Sequence, residues 1–124
     1  MSNDILEAID SSKTIISIPR VNGKKSMPDL PESKILHVSD YLTDEPYLQN
    51  IEGLSTVFKR QCGYSDHTIG PDQCIKAIKL YGANVIEKHF HVGDVFKYEG
   101  IEFRDTIHAA QPKDLELIAK EMSK

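Results

Sequence analysis

Two rhythms of apolar spacing alternate along the chain, and their alternation sets the expected fold. Short runs dense in β-branched and aliphatic residues, "KTIISI" (13–18) and "KILHVSDYL" (34–42), read as buried strands. "CGYSDHT" (62–68) and "NVIEKHF" (84–90) are two more runs of the same kind. Between them the spacing changes to that of a helix. From about Pro46, the positions Tyr47, Ile51, Leu54 and Phe58 fall at i, i+4, i+7 and i+11, on one helical face. Pro71 and Asp72 open the next helix, as a first-turn proline and a carboxylate at the positive end of the dipole should. Cys74, Ile78 and Tyr81 form its inward face and Gly82 its stop. A last helix starts at Pro112, with Leu115, Ile118, Ala119 and Met122 on one side. A short helix over 3–9 precedes the first strand, which Pro19 ends, while 20–33 and 93–110 read as loops.

Strands alternating with helices mean parallel β-α units, so the expected class is α/β with about four strands. In such sheets reactive groups gather where the chain leaves the carboxyl ends of the strands. The polar residues of the four runs sit there: Ser39 and Asp40, then Ser65 to His67, then Glu87 to His91.

Composition narrows the class further. The 124 residues make a single domain, 1–124, with ordinary shares of apolar (40%) and charged (27%) residues. A net charge of −4 gives no electrostatic footprint for nucleic acid or an anionic membrane. No apolar run approaches the ~20 residues that span a bilayer. The opening "MSNDILEAID" is acidic and has none of the regions of a signal peptide. Cys62 and Cys74 fit no metal or redox spacing and read as buried thiols, so the expected compartment is the cytoplasm.

Strand alternation then sorts the polar residues by face. Glu87, His89 and His91 share one side, and Lys88 and Phe90 the other. Ser65 and His67 share a side of the preceding strand, about 4.8 Å away. Two imidazoles and a carboxylate converging in this way suit a divalent metal with positions left open for water or substrate. Beside oxygen-rich substrates that ion is Mn²⁺, Mg²⁺ or Zn²⁺, whereas a lone strand histidine is more often a hydrogen-bonded core residue.

"GYSDHTIG", followed after a helix by "GANVIEKHF", resembles the N-acetylneuraminate (sialic acid) synthase family, with its "GYSDHT-G" strand, a helix ending "LGA", and "VIEKHFT". "KILHVSDYLTDEP" is similar to the family's "LLHCTSEYPTP". "FRDTIHAAQPKDLELI" is similar to its "GPDHKASLEPDELKAL", with the same span from Asp105 to Pro112. "ILEAIDSSKTIISI" resembles the approach to the fifth strand, so the likeness covers nearly the whole chain.

The resemblance implies the second half of a TIM-type β/α barrel. It also implies a metal-dependent condensation of phosphoenolpyruvate with an N-acetylated amino sugar, in carbohydrate and polysaccharide biosynthesis. It makes His67 and His89 metal ligands, with Mn²⁺ the first choice, and sets Glu87 beside them as ligand or acid/base. Ser65 matches a serine that contacts phosphoenolpyruvate, Asp105 an aspartate that binds the sugar, and Asp40 is a further substrate-side candidate.

Departures from the pattern qualify this. The lysines that hold phosphoenolpyruvate in the family belong to the first half of the barrel, and Lys88 points away from His89. Ile18 and Pro19 replace small polar residues, and a loop over 20–33 replaces a helical crossover. His91 stands where the family has threonine, as a residue of the rim or an extra ligand. A four-strand parallel sheet leaves two edges and an inner face open. A partner is therefore expected, either a second copy in a homodimer or a complementing half-barrel chain. The alternative is a module that binds metal and sugar without chemistry, or a remnant of a synthase.

Overall fold

The four apolar runs become one parallel sheet in a computed structural model that describes residues 7–19, 32–39, 43–91, 97–98, 101–102 and 107–124. The strands are β1 (Ile15–Pro19), β2 (Lys34–Val38), β3 (Gly63–Asp66) and β4 (Ile86–Lys88), ordered β1-β2-β3-β4 with every neighbouring pair parallel. Helix α1 (Gln49–Phe58) lies between β2 and β3, α2 (Asp72–Tyr81) between β3 and β4, and α3 (Pro112–Met122) follows. Sequential parallel strands, with helices between β2 and β3 and between β3 and β4, make this an α/β fold and a partial TIM-type barrel. The expected loop over 93–110 contains a small antiparallel pair, β5 (Lys97–Tyr98) with β6 (Ile101–Glu102).

The core lies between the sheet and its helices. Ile35 and Tyr64 from the strands meet Ile51 of α1 and Cys74 and Ala77 of α2, all essentially closed to solvent. Each large apolar side chain buried there contributes roughly 1.5–3 kcal/mol. β3 is buried along its whole length, as a strand covered on both faces should be.

Helix α2 follows the sequence reading closely. Pro71 caps it, Asp72 stands in its first turn, and Gly82 ends it at φ 69°, a conformation that costs glycine nothing. Helix α1 begins later than the spacing predicts. Tyr47 takes φ 53°, outside the right-handed helix, so Leu48 becomes the N-cap and is buried with Ile51. β1 is also less buried than expected. Only Ile18 is fully covered and Ile15 is half exposed, because β1 forms an edge of the sheet, and Pro19 is its last paired residue rather than a stop before it.

Helix α3 starts with Pro112 in its first turn. A capping box precedes it, in which the Gln111 N–H donates to Asp114 Oδ2 at 2.9 Å. Of its expected buried face only Ile118 is covered. Leu115, Ala119 and Met122 are exposed, because α3 packs chiefly on α2. The predicted helix over 3–9 and loop over 20–33 fall largely outside the described residues. Among the described residues no helix is long and apolar enough to cross a membrane.

Candidate metal centre at the strand ends

Register places the candidate residues. In the β3–β4 pair Ser65 stands opposite Glu87, and Asp66 opposite Lys88. Because side chains alternate, the two pairs point to opposite faces, and the histidines two residues after Ser65 and Glu87 continue the first face.

On that first face the Ser65 hydroxyl donates to Glu87 Oε1 at 2.8 Å. This fixes one carboxylate oxygen of an otherwise exposed side chain. His67 and His89, each the first residue beyond its strand, bring their ring centroids to 5.7 Å. The His67 backbone N–H donates to Ser39 Oγ at 3.0 Å, tying the end of β3 to the end of β2. Ser65, His67, Glu87 and His89 line an open cleft of about 350 Å³, at the small end of ligand-site volumes.

Asp66 and Lys88 also line this cleft, but the Lys88 ammonium is engaged by its own partners. Its Nζ lies 2.6 Å from Asp66 Oδ2 and 2.7 Å from the Thr68 carbonyl, with both charged side chains closed to solvent. Asp66 also accepts from Tyr64 Oη at 2.6 Å and from the Thr68 N–H and hydroxyl at 3.1 and 2.8 Å. Burial, reinforced by the Asp66 charge, pushes the Tyr64 hydroxyl and the Cys74 thiol well above their ordinary pKa values. Cys62 is raised as well, chiefly by burial, and both cysteines are buried free thiols.

A third histidine joins the pair. His108, fully buried, sits with its ring centroid 5.4 Å from that of His67 and 5.3 Å from that of His89. One donor atom from each of the three lies within 4.8 Å of the others. His67 Nδ1 is buried with no hydrogen-bond partner among the described residues, as a ligand atom awaiting a cation would be. Three imidazoles are a donor set that a divalent ion fits; Glu87 lines the same cleft but is not one of the grouped donors.

Sequence reasoning missed His108, because the motif it resembles carries alanine at that place. The available signal was another histidine just ahead of the Pro112 helix start. His91 is buried rather than on a rim, its backbone N–H bonded to the Ala110 carbonyl at 2.9 Å, and its ring lies outside the three-histidine group. His37 is pinned elsewhere, its Nε2 donating to the Pro46 carbonyl at 2.6 Å. Asp40 and Asp105 lie outside the described residues.

The strand order, the helices and the imidazoles at the strand ends define a β/α-barrel segment with a candidate metal centre in the place where barrel enzymes carry their chemistry. A model of the NeuB family matches residues 35–124. The chain belongs to the NeuB family. Its fold is similar to the crystal structure of N-acetylneuraminic acid (sialic acid) synthetase from Leptospira borgpetersenii serovar Hardjo-bovis in complex with citrate. The TM-score is 0.66 at 25% identity, over 97% of this chain and 44% of that one. The chain thus spans less than half of that synthetase's length. No curated protein matches it.

Proposed function

We propose that the chain serves a sialic-acid-synthase-type condensation of phosphoenolpyruvate with an N-acetylated amino sugar, in the cytoplasm and as part of a larger assembly. The observation that carries this reading is the approach of His67 to His89 at the carboxyl ends of adjacent strands, in a cleft that Glu87 also lines, in a NeuB-family chain. His67 and His89 hold a divalent metal beside Glu87. If these are the whole protein donor set, Mn²⁺ comes first, ahead of Mg²⁺ and Zn²⁺. That ion supplies Lewis-acid polarisation of the sugar's aldehyde oxygen.

The chain's own residues do the rest. Ser65 contacts phosphoenolpyruvate and, through its 2.8 Å hydrogen bond, orients the Glu87 carboxylate. The enol carbon of phosphoenolpyruvate bonds to the aldehyde carbon, water adds to the adjacent carbon, and phosphate leaves with its C–O bond broken. Glu87 takes a proton from that water and returns one to the former aldehyde oxygen. Asp105 and Asp40 serve the sugar side.

The cations that bind phosphoenolpyruvate come from a partner, because Lys88 is committed to Asp66. A second copy of the chain, or a chain with the complementary strands, pairs with the open edge at β1. The engagement of Lys88 also favours a second reading, in which metal and sugar bind without chemistry.

Phosphate release from phosphoenolpyruvate and an N-acetylated amino sugar, with and without Mn²⁺, tests the proposal. Metal-dependent release that His67→Ala or His89→Ala abolishes is the expected result. Metal and sugar binding with no phosphate release, alone or with the complementing chain, overturns catalysis in favour of binding.

A further inference from the structure

We propose that His108 is a third ligand of the metal site, so that three imidazoles and not a histidine pair hold the ion. This rests on the reading of His67 and His89 as a metal pair and deepens it. The three ring centroids form a nearly equilateral triangle with sides of 5.3, 5.4 and 5.7 Å. Imidazole nitrogens bind at about 2.1 Å and lie about 1.2 Å from their ring centres, so three tetrahedrally disposed rings have centroids about 5.4 Å apart. Right-angled octahedral positions would bring the same centroids to about 4.7 Å. The observed triangle fits the tetrahedral case. The donor atoms, now within 4.8 Å of one another, need to close to about 3.4 Å, which tilting the rings achieves with the centroids in place.

The backbone holds His108 in this position. Phe90 and Ala110 form a parallel bridge, in which the Ala110 N–H donates to the His89 carbonyl at 2.6 Å and the His91 N–H to the Ala110 carbonyl at 2.9 Å. Residue 110 is therefore clamped to the segment that carries His89, and His108, two residues earlier, is delivered beside it. A ligand fixed this way loses little freedom when the ion binds. A third neutral imidazole also moves the metal preference. It raises affinity for Zn²⁺ and Co²⁺ over Mn²⁺ and Mg²⁺, and leaves one position open for water or substrate oxygen.

Titration of the metal-stripped chain with Co²⁺ tests this, because four-coordinate Co²⁺ absorbs far more strongly in the visible than six-coordinate Co²⁺. The wild-type chain should develop the intense four-coordinate bands. His108→Ala should lose them and weaken Co²⁺ binding by at least about a hundredfold, more than loss of an outer-shell partner costs. His108→Cys should restore binding and add a thiolate-to-cobalt charge-transfer band, which arises only if residue 108 touches the metal. In the wild type, imidazole ¹⁵N resonances of three histidines should shift on Zn²⁺ addition. This readout needs no variant to fold.

Wild-type spectra and affinity in His108→Ala, no charge-transfer band in His108→Cys, and two shifted histidines would overturn the third ligand. The histidine pair would still stand if His67→Ala abolished binding. Unchanged binding in His67→Ala and His89→Ala would remove both readings.

Discussion

Replacing Lys88 by methionine tests how the site is held from behind. Lys88 lies between Glu87 and His89, and its Nζ is 2.6 Å from Asp66 Oδ2 with 1% and 0% of the two side chains exposed. Methionine keeps the length of the stem but leaves the Asp66 carboxylate buried without its cation. Breaking a buried pair on one side costs about 3–5 kcal/mol. Asp66 keeps three hydrogen bonds from Tyr64 and Thr68, which places the expected loss near the lower end, about 3 kcal/mol. For a chain of this size that lowers Tm by roughly 10–15 °C.

Urea denaturation with an unchanged slope should read this loss directly. The double variant Asp66→Asn/Lys88→Met should recover part of it, because the uncompensated charge is gone. A loss under about 1 kcal/mol in Lys88→Met, or a double variant that only sums the singles, would refute the reasoning.

Other consequences follow from the same geometry. A Cβ on Gly63 would meet Leu36 Cδ2 at 2.6 Å and Val85 Cβ at 2.9 Å, with the Val85 carbonyl oxygen closer still. Gly63→Ala should therefore cost about 2–3 kcal/mol by chemical denaturation, because the obstacle is partly backbone. Tyr64 and Cys74 both have raised folded pKa values, so the stability they confer is complete below the unfolded thiol value of 9.0 and is lost as pH rises above it. Tm should fall on the alkaline side of pH 9, and less steeply in Cys74→Ala. Ser65→Ala removes the hydrogen bond that orients Glu87. It should lower phosphate release about tenfold or more in the assembled enzyme while leaving metal affinity within about twofold.

What could be read from the sequence was what period and register dictate. The two-residue alternation of a strand forces Ser65 and His67 to one face and Glu87 and His89 to the same one. It forces Lys88 to the other, where it meets Asp66. The start and stop of α2 were equally legible, because proline, a first-turn carboxylate and a positive-φ glycine each act locally.

Features that depend on long-range contact were not legible. His108 reaches the other histidines through the Phe90–Ala110 bridge, which no local pattern announces. The late start of α1 depends on a left-handed Tyr47, an unusual conformation for a non-glycine residue. The exposure of β1 and of most of α3 depends on what lies beside them, and spacing alone reports a face without saying whether anything covers it.

Anomalous scattering at the zinc edge, from crystals of the chain grown with Zn²⁺, tests most directly whether the strand-end histidines form a metal centre. A single strong peak bounded by His67, His89 and His108, beside Glu87, is the result required. A peak elsewhere, or none with the three rings arranged as described, would contradict it.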